Sequence, residues 1–136
     1  MKIDLKFIGY INTFENITGA QVKDCFVNKN NQLVFIVKQG QGSMAVGKKA
    51  IKIRKLENLL HRKIKLIEFN ENPVEFVKNM ICPLKSPEIV LNENELIIKT
   101  DTMHLKALLL GRDKANLNEL QSIVTKYFNN IKIKIE

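Results

Sequence analysis

Apolar residues recur at two spacings along the chain, and each spacing predicts an element. Between residues 4 and 16, Leu5, Ile8 and Ile11 follow a helical step with Phe7 and Phe14 on a neighbouring stripe, which predicts a helix ending at Gly19. Residues 20–28 and 32–38, rich in Val, Phe and Ile, read as strands joined by hairpin chemistry at Asn28-Lys29-Asn30-Asn31. Gly40-Gln41-Gly42 precedes a short helical segment over 43–46, followed by Gly47-Lys48-Lys49-Ala50. Ile53, Leu56, Leu59 and Leu60 then supply the apolar face of another helix, and 65–69 a closing strand. The predicted order is α-β-β-α-α-β.

The same order follows again. Asn72 as N-cap and Pro73 at the first helical position open a helix whose buried side is Val74, Phe76, Val77, Met80 and Ile81, with Pro83 as its stop. Strands over 88–91 and 95–100 turn at Asn92-Glu93-Asn94. A short helix over 102–110 ends at Gly111-Arg112-Asp113-Lys114. Leu117, Leu120, Ile123, Val124 and Phe128 mark the next helix, and 131–135 alternates Ile-Lys-Ile-Lys-Ile as the last strand. A unit written twice is the simplest account, with residues 1–70 and 71–136 as its two copies. The join near 70–72 is too short for a flexible linker, and modules this small bury little core alone, so the two are expected to pack rigidly.

Composition narrows the class. A chain of 136 residues with 45% hydrophobic content is too apolar for disorder, and no apolar run reaches the roughly 20 residues of a membrane span. The opening MKIDLKFIGYINTF has no uninterrupted apolar core and does not read as a secretory signal. Cys25 and Cys82 lack CxxC spacing and are expected to be reduced, buried thiols of a cytoplasmic protein.

Charge adds direction. The formal net charge is +8, and all of the excess lies in residues 1–70, with thirteen basic and five acidic residues against nine of each in 71–136. Such an excess favours polyanionic partners. The glycine-led turns at 47 and 111 each precede a helix, and a helix start exposes amide N–H groups suited to phosphate. At the first turn Lys48 and Lys49 are followed by Lys52, Arg54 and Lys55, with no acid before Glu57. This run is either a solvated basic face or a site for a bound polyanion. At the second, Asp113 separates Arg112 from Lys114 and would repel a phosphate or cap the helix.

Enzyme chemistry finds no foothold in the pattern. His61 and His104 lie far apart with no second ligand at helical spacing, neither cysteine has a neighbouring His, and no Walker or Rossmann glycine pattern occurs. No metal, cofactor or small-molecule substrate is expected. A membrane-surface role is disfavoured because the Ile53, Leu56 and Leu60 stripe is needed for a core.

Helix–strand–strand–helix–Gly-loop–helix–strand resembles the type II K-homology (KH) order, with Gly47-Lys48-Lys49-Ala50 and Gly111-Arg112-Asp113-Lys114 at the GxxG positions. The chain is similar further to archaeal NusA-like transcription factors. The similarity is carried by Ile17-Thr18-Gly19-Ala20, Val22-Lys23-Asp24-Cys25, Met44-Ala45-Val46-Gly47-Lys48-Lys49, Arg54-Lys55-Leu56-Glu57, Ile67-Glu68-Phe69-Asn70-Glu71 and the segment from Asn72 to Asn79. The resemblance implies an α+β protein of two tandem type II KH modules, each with a three-stranded sheet and helices on one face. It implies binding of single-stranded RNA (the nascent transcript), with RNA polymerase as a further partner and a role in elongation, termination or antitermination. The implied RNA-binding residues are Gly47, Lys48, Lys49, Ala50, Lys52, Arg54 and Lys55, with Gly111, Arg112 and Lys114 in the second loop.

Ala50 and Lys114 stand where the family pattern has a second glycine. Ala keeps helical angles well, whereas Lys114 is not expected to adopt positive φ cheaply. By position, Ile51, Ile53, Val34 and Ile36 are candidates either for a base-binding groove or for ordinary core. A protein-docking scaffold with little RNA binding and a KH protein of ribosome assembly are the alternative readings.

Overall fold

The computed structural model describes residues 5–136, which divide between two units, Met1–Phe69 and Asn70–Glu136. Residue 4, where the sequence places the start of the first helix, lies outside the described residues. The first unit runs α1 (Leu5–Thr18), β1 (Val22–Val27), β2 (Leu33–Val37), α2 (Gly42–Val46), a 3-10 turn (Lys48–Ala50), α3 (Ile51–Leu60) and β3 (Ile64–Glu68). Gly19 ends α1 by taking φ of 77°, and its N–H donates to Glu15 O at 2.9 Å. Asn28 shapes the hairpin: its Oδ1 accepts from Asn30 N at 3.1 Å and from Gln32 N at 2.9 Å.

β2 is the central strand, antiparallel to β1 and parallel to β3. A parallel neighbour requires a crossover. α2, the turn and α3 supply it, and Lys48 and Lys49 of the turn are exposed. Leu33, Phe35 and Val37 point into a core with Phe14, Ala45 and Leu56, all fully buried, and the Phe14 and Phe35 rings stack at 4.2 Å.

Several side chains depart from the sequence expectation. Phe7, Tyr10, Ile11, Phe14 and Ile17 form the core-facing stripe of α1, whereas Leu5 and Ile8 are exposed. On α3, Leu56 is buried and Leu59 is exposed, because the helix is only ten residues long and lends one narrow face to the core. Val34 and Ile36 are fully buried and therefore core, unavailable to a base.

The second unit runs α4 (Pro73–Ile81), β4 (Glu88–Asn92), β5 (Glu95–Lys99), α5 (Met103–Leu110), a 3-10 turn (Arg112–Lys114), α6 (Ala115–Tyr127) and β6 (Lys132–Ile135). β5 is central, antiparallel to β4 and parallel to β6, again with a two-helix crossover. Asn72 caps α4 by accepting from Val74 N at 2.9 Å, and Thr102 caps α5 by accepting from Leu105 N at 3.0 Å. Phe76, Val77, Leu96, Ile98 and Val124 are fully buried, and β6 alternates exposed Lys with buried Ile as its sequence dictates. Both units are therefore mixed α+β with a small three-stranded sheet. No described helix is long and apolar enough to cross a membrane.

Candidate nucleic-acid interface

The turn between α2 and α3 is held from below. Gly42 N, at the start of α2, donates to Glu68 Oε1 at 2.8 Å, tying that helix to the end of β3. Gly47 then leaves the helix at φ 75°, ψ 176°. Lys49 (φ 51°, ψ 32°) and Ala50 (φ 59°, ψ 29°) both take left-handed angles before α3 begins. For residues with a Cβ, such angles cost about 1–2 kcal/mol each.

Hydrogen bonding shows what the bend leaves over. Gly47 N donates to Ser43 O at 3.1 Å, Ala50 N to Gly47 O at 3.3 Å, and Ile51 N to Lys48 O. No acceptor for the Lys48 or Lys49 amide is found among the described residues. Two donors thus remain beside two exposed ammonium groups, at a helix start with no acid in its first turn. That arrangement favours an anion with several oxygens, such as a phosphodiester.

The other predicted site residues separate into groups. Gly47 and Ala50 are half-buried, while Arg54 and Lys55 are exposed one turn further along α3. Met44 and Ile51 flank the bend at 45% and 63% exposure, so exposed apolar surface lies beside it, from different residues than Val34 and Ile36. Ile53 packs against the core. Lys52 departs from its basic neighbours: its Nζ donates to Met44 O at 2.9 Å and to Thr18 O at 3.3 Å.

The second turn repeats the backbone closely. Gly111 has φ 73°, ψ 175°, Asp113 φ 53°, ψ 32° and Lys114 φ 62°, ψ 24°. Lys114 therefore does adopt positive φ, contrary to the sequence expectation, because the bend is set by its hydrogen bonds and not by residue preference. Gly111 N donates to Ala107 O at 2.9 Å and Lys114 N to Gly111 O at 3.2 Å, matching the first turn. The N-cap position of α6 is Lys114, one residue beyond Asp113, and it makes no side-chain cap bond. Arg112, Asp113 and Lys114 are all exposed. The two turns differ in charge, not in shape.

Elsewhere the chemistry is quiet. Burial, and secondarily the Asp24 carboxylate, push the Cys25 thiol up from 9.0 to about 12, against a smaller opposing pull from Arg62. Cys82, expected to be buried, is exposed, since α4 has ended before it. No cluster of metal-ligating side chains occurs among the described residues.

A KH domain family model matches residues 10–89, a span that includes the bend at 47–50. The chain belongs to the KH domain family. It is 26% identical, over 99% of its own length and 79% of the relative's, to a protein of Methanococcus vannielii named probable transcription termination protein NusA. A protein of the same name from Halococcus morrhuae is 25% identical over 88% of this chain and 87% of that one. Among solved structures, the crystal structure of APE1850 superposes with a TM-score of 0.72 at 26% identity, covering 98% of this chain and 100% of that one. The protein is accordingly a KH-family member similar over most of its length to the Methanococcus and Halococcus proteins.

Proposed function

We propose that the protein is a cytoplasmic transcription factor built of two tandem type II KH modules, residues 1–70 and 71–136, that holds single-stranded RNA by its backbone. In this reading the Lys48 and Lys49 amides donate to phosphate oxygens at the bend between Gly47 and Ala50. The two ammonium groups neutralise the phosphates, and Arg54 and Lys55 continue the basic track along α3. Met44 and Ile51 offer apolar contact to a base next to the gripped phosphate. Gly111, Arg112 and Lys114 extend the path with a weaker hold, because Asp113 stands where the first module has Lys49. The nascent transcript is the natural source of such RNA, and RNA polymerase the natural neighbour.

The observation that carries the reading is the pair of unspent amides beside Lys48 and Lys49. Phosphate contacts supply affinity and make it depend on salt, with a log–log slope of about 0.7 per contact on single strands. The double variant Lys48→Asp, Lys49→Asp should bind a short unstructured RNA at least about tenfold more weakly, with a slope smaller by about 1.4 for two phosphates no longer neutralised. Affinity equal to that of the wild type would move the RNA elsewhere. Capture of RNA polymerase after nuclease treatment, from a protein with no RNA affinity, would favour the docking scaffold instead.

A further inference from the structure

Gly47 and Gly111 look like openings through which a sugar–phosphate chain could approach, but the molecule fills that space itself. A Cβ on Gly47 would lie 2.9 Å from Lys52 Cγ, and one on Gly111 would lie 2.6 Å from Asn116 Cγ and 2.9 Å from Asn116 N. These distances are shorter than real Cβ contacts allow. In each unit, then, a side chain from the following helix passes over the bare glycine.

What that side chain reaches is the same in both. Lys52 Nζ donates to Met44 O at 2.9 Å, and Asn116 Nδ2 donates to Leu108 O at 2.7 Å, each to a carbonyl eight residues earlier. Carbonyls in the last turn of a helix lack partners within it. In both helices the glycine amide takes one such carbonyl, Ser43 O or Ala107 O, and the crossing side chain takes the next. Lys52 also reaches Thr18 O, which fastens α1 to the same point. A cation makes this bond in one unit and a neutral amide in the other, so the position requires a donor of sufficient reach, not a charge.

We propose that Lys52 and Asn116 are positioning residues: each latches the helix before a turn to the helix after it and so holds the turn's amides in place. This rests on the RNA-binding function proposed above. Lys52 is thereby removed from the phosphate contacts among which its place in a basic run would put it, since touching a phosphate would mean abandoning two carbonyls. The glycine is needed as much for the latch to pass as for the backbone angle.

Three variants and one spectrum test this. In RNA-free protein, Lys52→Met should shift the Lys48 and Lys49 amide resonances, and Lys52→Asn, which copies the second unit, should return them towards their wild-type positions. With a short oligouridine, Lys52→Met should bind about tenfold more weakly, the scale of one charge-assisted hydrogen bond removed, with an unchanged salt slope, and Lys52→Asn should recover most of the affinity. Asn116→Leu should move the Arg112 and Asp113 amides in the same way. Should Lys52→Met fail to fold, the wild-type lysine side-chain spectrum decides: on adding oligouridine the Lys52 Nζ signal should stay put.

Loop amides unmoved by Lys52→Met, a salt slope lowered equally in Lys52→Met and Lys52→Asn, or a Lys52 Nζ signal that shifts with RNA would each overturn the latch. Failure of the function itself gives a different signature, namely a wild-type protein whose spectrum ignores oligouridine while the RNA-free variants still shift their loop amides.

Discussion

A single methyl group at residue 50 has a measurable consequence. Ala50 is held at φ 59°, where a Cβ is strained and glycine is not. Ala50→Gly should therefore stabilise the protein by about 0.5–1 kcal/mol in urea unfolding, the relief of strain exceeding the added freedom of the unfolded chain. A loss of stability would mean that the angle is not strained. Cys25 gives a prediction in pH. Its thiol is lifted from 9.0 to about 12, so the unfolded chain sheds the proton first. The stability tied to the neutral thiol is fully present below pH 9 and drains away as pH rises towards 12. Measured by urea unfolding, the advantage of the wild type over Cys25→Ala should be constant below pH 9 and shrink above it. Exposed Cys82 should react with an alkylating reagent under conditions that spare Cys25. At this scale the chain was least legible. Composition cannot reveal that Lys49, Ala50, Asp113 and Lys114 all turn left-handed, because hydrogen bonds within each turn impose it. Nor does a lysine in a basic run announce that it is bonded to two carbonyls.

Elements were easier to read, because helix and strand spacing survives any choice of partner. Asn72 followed by Pro73 marked the start of α4, and the cap bond to Val74 N is there at 2.9 Å. Asn72→Ala should cost about 1 kcal/mol in unfolding free energy, and an unchanged value would deny the cap its role. Faces were harder. On α1 the spacing admits two adjacent stripes, and the larger Phe7, Tyr10 and Phe14 rings took the core from Leu5 and Ile8. β2 shows the same limit: all five of its residues, Leu33–Val37, are buried, so alternation cannot separate a groove face from a core face. Val34 and Ile36 were open to either reading for that reason. The exposed pair Met44 and Ile51 went unmarked as a pair because their exposure depends on how α2 and α3 pack.

Across the whole molecule, the repeated order of elements and the uneven charge carry most of what was legible. The two turns share angles to within a few degrees, yet one carries Lys48 and Lys49 and the other Arg112 and Asp113. The turns match in backbone shape and differ in charge, and under the proposed function that difference would divide the work between a strong hold and a weak one. Asp113→Lys should then raise RNA affinity and steepen the salt slope by about 0.7, the increment for one further phosphate neutralised on a single strand. No increase in affinity would mean that the second turn lies off the RNA path.

The most direct measurement follows the backbone amides of the wild-type protein as a short oligouridine is added. The account predicts that the Lys48 and Lys49 amide signals move furthest, with those of 111–114 moving less. RNA that binds while the Lys48 and Lys49 amides stay where they were would contradict it.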